Sequence, residues 1–225
     1  MKTILTVAAH PDDEILGCGG TISRLTDEGY DAYTMILGEG VTSRDDVRDR
    51  NKRESEIQEL KKQVIEANKK IGVKKIFIFN FPDNRFDVVP LLDIVKKVET
   101  IKNKIKPDII FTHFKNDLNI DHKKTYEAVL TATRPMENET VKTIYSFEIL
   151  SSTEWNYPTT FSPNVFFDIT NSLDKKIQAV EKYESEIRSF PHPRSSKTIG
   201  VNASKWGSFI GKKYAEAFML IRDIK

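Results

Sequence analysis

Thr3-Ile4-Leu5-Thr6-Val7-Ala8-Ala9 is an apolar run that leads straight into His10-Pro11-Asp12-Asp13-Glu14, and then into Ile15-Leu16-Gly17-Cys18-Gly19-Gly20-Thr21. The first run reads as a short buried strand and the last as the start of a helix. One histidine and three acids therefore crowd the point where a strand hands over to a helix. Helix capping and dipole compensation explain one or two of the acids. They do not explain His10 ahead of them. In open α/β sheets that carboxyl edge is where ligands bind.

Outward from this stretch, strand and helix signals alternate. A helix is expected over Glu14 to Glu28, stopped by Gly29, then a strand over Asp31 to Leu37 and a polar loop over Gly38 to Asp46. A long charged helix follows over Val47 to Ile71. Lys75 to Phe79 reads as the third strand, running into the polar loop Asn80 to Arg85. Pro90 sits at a helix start, where its missing N–H costs nothing, and Pro107 ends that helix. Asp108 to Thr112 is the fourth strand, His122 to Arg134 the next helix, and Thr143 to Phe147 the fifth strand. This β-α-β order predicts an α/β fold with a mostly parallel sheet and helices on both faces. Beyond it lie a long loop over Glu148 to Pro163, a strand over Val165 to Ile169, and helices over Asp174 to Ile187 and Ala203 to Tyr214. Ala217 to Ile221 reads as a closing edge strand. With no repeat or linker in sight, one domain spanning 1–225 is expected.

Composition narrows the function classes. Lys+Arg of 35 against Asp+Glu of 33 points to no nucleic-acid partner. A single cysteine, Cys18, leaves no internal disulfide and fits a reducing compartment. No apolar run approaches the ~20 residues of a membrane span, and the chain opens on a strand rather than a signal peptide. A cytoplasmic protein without an integral membrane segment is the expectation.

Only four histidines are present, His10, His113, His122 and His192, each in or beside a polar loop. His10 and Asp13 share a strand tip, and His122 opens a helix after another strand. Two imidazoles and one carboxylate make a three-donor metal site with open positions, the catalytic pattern for zinc. The same set serves a facial-triad iron centre. Asp12 separates the two, because a carboxylate beside a metal-bound water is a general base for hydrolysis. Weaker candidates for substrate contact are Arg53, Asp83, Arg85 and Arg194, with Trp155 as a surface for a sugar ring. Gly17, Gly19 and Gly20 are no phosphate-binding fingerprint; they let the first helix approach the sheet.

Ala9-His10-Pro11-Asp12-Asp13-Glu14 with the later Asp121-His122 resembles the LmbE/PIG-L family of zinc-dependent N-acetyl-sugar deacetylases. The likeness extends through Phe81-Pro82-Asp83 and Ala215-Glu216-Ala217-Phe218. It implies a Rossmann-like three-layer αβα sandwich and one zinc ion on His10, Asp13 and His122. It also implies that Asp12 is the general base, that Asp121 orients a neighbouring imidazole, and that the substrate is a small N-acetyl sugar. Relatives are often oligomers, so a homo-oligomer is compatible with it. The family often reads His-x-Asp-His at the second motif, and its first histidine stabilises the tetrahedral intermediate. Here that position is Asn119. Either Asn119 serves as a weaker donor, or another histidine does the work. His192, followed by Arg194, is the first candidate and His113 the second. The alternative readings are a non-haem iron oxygenase on the same triad and a metal- or sugar-binding module without catalysis.

Overall fold

The structure, a computed structural model, describes residues 2–225. Seven strands are β1 (Thr3–Ala8), β2 (Asp31–Gly38), β3 (Lys75–Phe81), β4 (Ile109–His113), β5 (Thr143–Phe147), β6 (Val165–Asp168) and β7 (Ala215–Asp223). Six helices are α1 (Asp13–Asp27), α2 (Glu54–Lys70), α3 (Leu91–Ile105), α4 (Ile120–Ala132), α5 (Leu173–Val180) and α6 (Ser196–Phe209). The strands form one sheet in the order β3-β2-β1-β4-β5-β7-β6. The first five run parallel, and β7 runs antiparallel to both its neighbours.

Strands buried on both faces need apolar residues at every position, because successive side chains point to opposite sides. Ile4, Ile36 and Phe111 pack with α1, α2 and α5 on one face. Their neighbours Leu5, Met35, Leu37 and Ile110 pack with α3 and α4 on the other. The expected α/β sandwich with a mostly parallel sheet is therefore what forms. Its strand order reverses at β1, which pairs with β2 on one side and β4 on the other. The crevice at such a switch point is the ligand-binding position of open α/β sheets. The loops after β1 and β4 carry His10–Asp12 and Phe114–Asn119 into it.

Close packing of α1 sets the position of its first turn. A Cβ on Gly17 would collide with the Phe147 ring of β5. A buried ion pair clamps the helix further along. Glu216 of β7 accepts from the Gly20 and Thr21 amides at 3.0 and 2.7 Å and from Lys176 at 2.6 Å. Lys176 also donates to the Leu16 carbonyl at 2.7 Å. Cys18 is a packing residue, its thiol pushed up in pKa first by burial and then by Glu216.

Three helix boundaries and the place of the last strand differ from the sequence expectation. The helix expected from Val47 starts at Glu54. Arg48 and Arg50 reach back to Glu39, and Lys52 and Arg53 hold Asp45, so the preceding segment wraps into a loop. α5 ends at Val180, where the chain turns to bury Tyr183. α6 starts at Ser196 rather than Ala203, because the Ser195 hydroxyl caps it by accepting from the Thr198 amide at 3.1 Å. The last strand, expected at an edge, lies between β5 and β6, so the edges are β3 and β6. No helix among the described residues is long and apolar enough to cross a membrane.

Candidate metal centre and active-site cleft

The turn after β1 is strained where the chemistry is. Asp12 caps α1 with φ of 99°, a left-handed conformation that costs an L-residue on the order of 1–3 kcal/mol. Its carbonyl accepts from the Ile15 and Leu16 amides at 3.0 and 2.9 Å, and its amide donates to Glu14 Oε2 at 3.1 Å. Glu14 is itself fixed by the Tyr183 hydroxyl and by Asn68 Nδ2 at 2.8 Å. Burial raises the Glu14 carboxyl to a pKa of about 7 against those hydrogen bonds. Glu14 thus supports Asp12 from behind and is not among the residues that line the cleft. The next turn is tight as well: a Cβ on Gly38 would lie 2.9 Å from the Ala9 carbonyl and 3.3 Å from the His10 ring.

Asp13 is the hub of the cluster. Its Oδ2 accepts from the His10 amide at 2.8 Å and lies 3.3 Å from both His10 Nδ1 and His122 Nε2. Its Oδ1 is buried with no hydrogen-bond partner. Donor atoms of His10, Asp13 and His122 all lie within 4.8 Å of one another. Each imidazole is backed by its own carboxylate. Asp121 Oδ2 sits 2.9 Å from His10 Nε2, and Asp117 Oδ1 sits 3.0 Å from His122 Nδ1. Such outer carboxylates fix the ring tautomer so that the other nitrogen faces a cation. Two backed imidazoles, a shared carboxylate and one orphaned carboxylate oxygen fit a divalent ion of the zinc type.

The titration of the cluster reflects the carboxylates gathered around its imidazoles. Burial works against an ionised Asp13, but His122 and His113 hold it well below the usual carboxylate range. Burial likewise opposes charge on His122, and Asp13 and Asp117 outweigh it to bring the imidazolium pKa to about 9. Asp117 falls to about 2 despite burial, through His122 and the Ser152 and Thr153 hydroxyls. Asp12 is raised by burial, with Arg194 opposing the rise.

A cleft of about 160 Å³ opens on this cluster, lined among others by His10, Asp12, Asp83, Asn119, Glu186 and Arg194. Asp83 accepts from the Ser43 hydroxyl at 2.6 Å, and its Oδ1 is 3.3 Å from His10 Nε2. Arg194 Nη1 donates to Asp12 Oδ2 at 2.8 Å. Asn119 is largely committed: its Oδ1 caps α4 through the Asp121 amide at 2.8 Å, and its Nδ2 donates to Asn84 at 2.7 Å.

Other candidates lie elsewhere. His113 is fully buried beneath the cluster, stacked 4.0 Å from His122, with Nε2 accepting the Ala9 amide at 2.9 Å. His192 does not line the cleft; its Nδ1 accepts the Arg194 amide at 3.1 Å, and its ring meets the edge of exposed Trp155. Arg53 forms a fork on Asp45 and reaches Glu56 at 2.6 Å. Arg85 donates to the Asp46 carbonyl at 3.2 Å. Both arginines brace the loop before α2.

Sequence reasoning missed Asp117 and took Asp121 only as the acid that orients a neighbouring imidazole. That imidazole is His10, across the sheet, and Asp117 is the acid on His122. An acid in the loop after β4, five residues before a candidate ligand, was the available signal. Glu186, Arg44 and Tyr183 gave none, because only tertiary folding brings them here.

A family model described as "PIG-L: GlcNAc-PI de-N-acetylase" matches residues 5–133, more than half of the chain. The chain belongs to this family. It is 27% identical over 235 residues to the diacetylchitobiose deacetylase of Thermococcus kodakarensis, spanning 100% of this chain and 85% of the relative. The solved N,N'-diacetylchitobiose deacetylase from Pyrococcus horikoshii superposes with a TM-score of 0.78 at 22% identity, covering 98% of this chain and 84% of that one. The 4-carboxy-2-hydroxymuconate hydratase from Pseudomonas putida KT2440 superposes with a TM-score of 0.77 at 20% identity, covering 100% and 98%. PIG-L-type architecture therefore hosts more than one chemistry, and the reaction must be argued from the site.

Proposed function

We propose that this chain is a zinc-dependent hydrolase that removes the acetyl group from an N-acetylglucosamine-type sugar or glycoconjugate. The observation that carries the reading is Asp12, a carboxylate in a strained turn, next to ligand Asp13 and facing the cleft. An oxygenase on the same triad has no use for such a base, and a binding module has no reason to strain it. The deacetylase relatives support the choice of an acetamide.

His10, Asp13 and His122 would hold the ion, with Asp121 and Asp117 keeping the two imidazoles oriented. Bound there, zinc supplies an acidified water and polarises the acetamide carbonyl. Asp12 accepts the proton of the attacking water as the new C–O bond forms at the acetyl carbon. The protonated Asp12 then delivers that proton to the amine nitrogen as the C–N bond breaks. The products are acetate and a free amino sugar. Asp83 offers a carboxylate oxygen to a sugar hydroxyl within the cleft. Trp155 with His192 presents an aromatic surface where the second sugar or aglycone leaves it.

The test is acetate release from N,N'-diacetylchitobiose and from a panel of N-acetylglucosaminides with and without aglycones. Asp12→Asn is expected to lower turnover by about 10²–10⁴-fold, the usual range for a general base, with bound zinc unchanged. Undiminished turnover in that variant would remove Asp12 from the mechanism.

A further inference from the structure

Amide hydrolysis moves a negative charge. It begins on the base carboxylate and appears on the former carbonyl oxygen. Most donors around the cleft are already committed and cannot follow it. The Ser43 hydroxyl is spent on Asp83, and Asn84 Nδ2 donates to Ser43 at 3.1 Å. Asn119 is tied to Asp121 and Asn84. Arg44 is drawn to Glu186 and Glu56 on the half-exposed side. His113 lies under the cluster, and His192 outside the lining.

Arg194 differs from all of these. It is the cation in contact with Asp12, at 2.8 Å through Nη1. Its Nε donates to Ser151 Oγ at 2.8 Å, and Glu186 lies 3.5 Å from the same Nη1. These contacts fix the plane of the guanidinium and leave Nη2 without a hydrogen bond among the described residues. A guanidinium presents its donors in a rigid fork, so one head can hold two oxygens at once.

We propose that Arg194 is a catalytic residue of this site, its free Nη2 meeting the developing oxyanion while Nη1 remains on Asp12. The proposal rests on the deacetylase reading above. A cation bound to Asp12 alone would favour the starting state, where the charge sits on the base, and so slow the reaction. A forked cation spanning both oxygens stays paired as Asp12 takes the water proton and the charge passes to the acetyl oxygen. It supplies the donor that Asn119, its Nδ2 committed to Asn84, does not.

The experiment uses the zinc-loaded full chain, with Arg194→Gln and Arg194→Lys beside the wild type. It reads kcat, KM, bound zinc, and the affinity of a tetrahedral methylphosphonamide of glucosamine by calorimetry. Arg194→Gln is expected to lower kcat by about 10²–10³-fold, the usual loss for one oxyanion donor, with zinc retained. Binding of the phosphonamide should weaken by a similar factor, and KM should change far less. Added guanidinium should restore part of the lost rate, and Arg194→Lys, with charge but no fork, should fall between. An unchanged or raised kcat in a folded, zinc-bearing Arg194→Gln would overturn the role. So would equal weakening of phosphonamide and substrate, which marks plain substrate binding. Acetate release by the wild type with such a result would leave the deacetylase reading standing; no release at all by the wild type would overturn both.

Discussion

The two sides of the cleft are built by different means. His10, Asp12 and Asp13 leave the end of β1, and Asp117, Asp121 and His122 follow β4, its partner in the parallel ladder. Every candidate ligand there is buried or nearly so and backed by a carboxylate, a backbone amide or both. The other side, with Arg44, Glu186 and Arg194, hangs on a single 3-10 turn and irregular chain and is held by partly exposed ion pairs. Short loops pinned between a strand and a helix fix the donors that must not move, and longer connections carry the groups on the open side. The first side, and Arg194 where it holds Asp12, should therefore respond to single substitutions, and the outer ion pairs of Glu186 to conditions.

The largest effect is expected at the hub. Asp13→Ala removes the carboxylate that two imidazoles share, so zinc and turnover should be lost together, as read by metal analysis after dialysis. Zinc retained at one per chain would shift the site to the other acids near His10. A middle effect is expected one layer out. Asp117→Asn and Asp121→Asn should each weaken zinc affinity by about 10–100-fold, the usual cost of losing an outer-shell partner. A competition titration against a chelator reads this, and unchanged affinity in both would break the contrast between the sides. The smallest effect belongs to the outer side. Glu186→Gln should change activity by less than about tenfold, since partly exposed pairs contribute ~0–1 kcal/mol. The difference from wild type should shrink as salt rises to about 1 M, where screening is nearly complete. An effect that is large and insensitive to salt would show that Glu186 belongs with the buried side.

The same division decides what the sequence revealed. The apolar run before His10 and the β-α alternation dictated the parallel half of the sheet, because buried strands can be recognised from local composition. The meeting of His10, Asp13 and His122 was readable because two short segments each end a strand on the same edge. Asp117 was hidden because a lone acid in a loop carries no periodic signal. The segment 47–53 was read as helix because its arginines look like a charged helical face, while their partners Glu39 and Asp45 are set by folding. The insertion of β7 between β5 and β6 was equally invisible, since antiparallel return leaves no mark in the strand's own sequence. Arg194 was read as a substrate contact, and its bond to Asp12 spans 182 residues.

The central claim is that one ion on His10, Asp13 and His122, with Asp12 beside it, hydrolyses an acetamide. The most direct test removes all metal from the wild-type chain by chelation and titrates zinc back while acetate release from N,N'-diacetylchitobiose, or the best N-acetylglucosaminide in the panel, is recorded. Acetate release should vanish with the metal and return in proportion to zinc, reaching its plateau at one ion per chain. Full acetate release from the stripped chain, or oxygen consumption that returns with iron in its place, would contradict it.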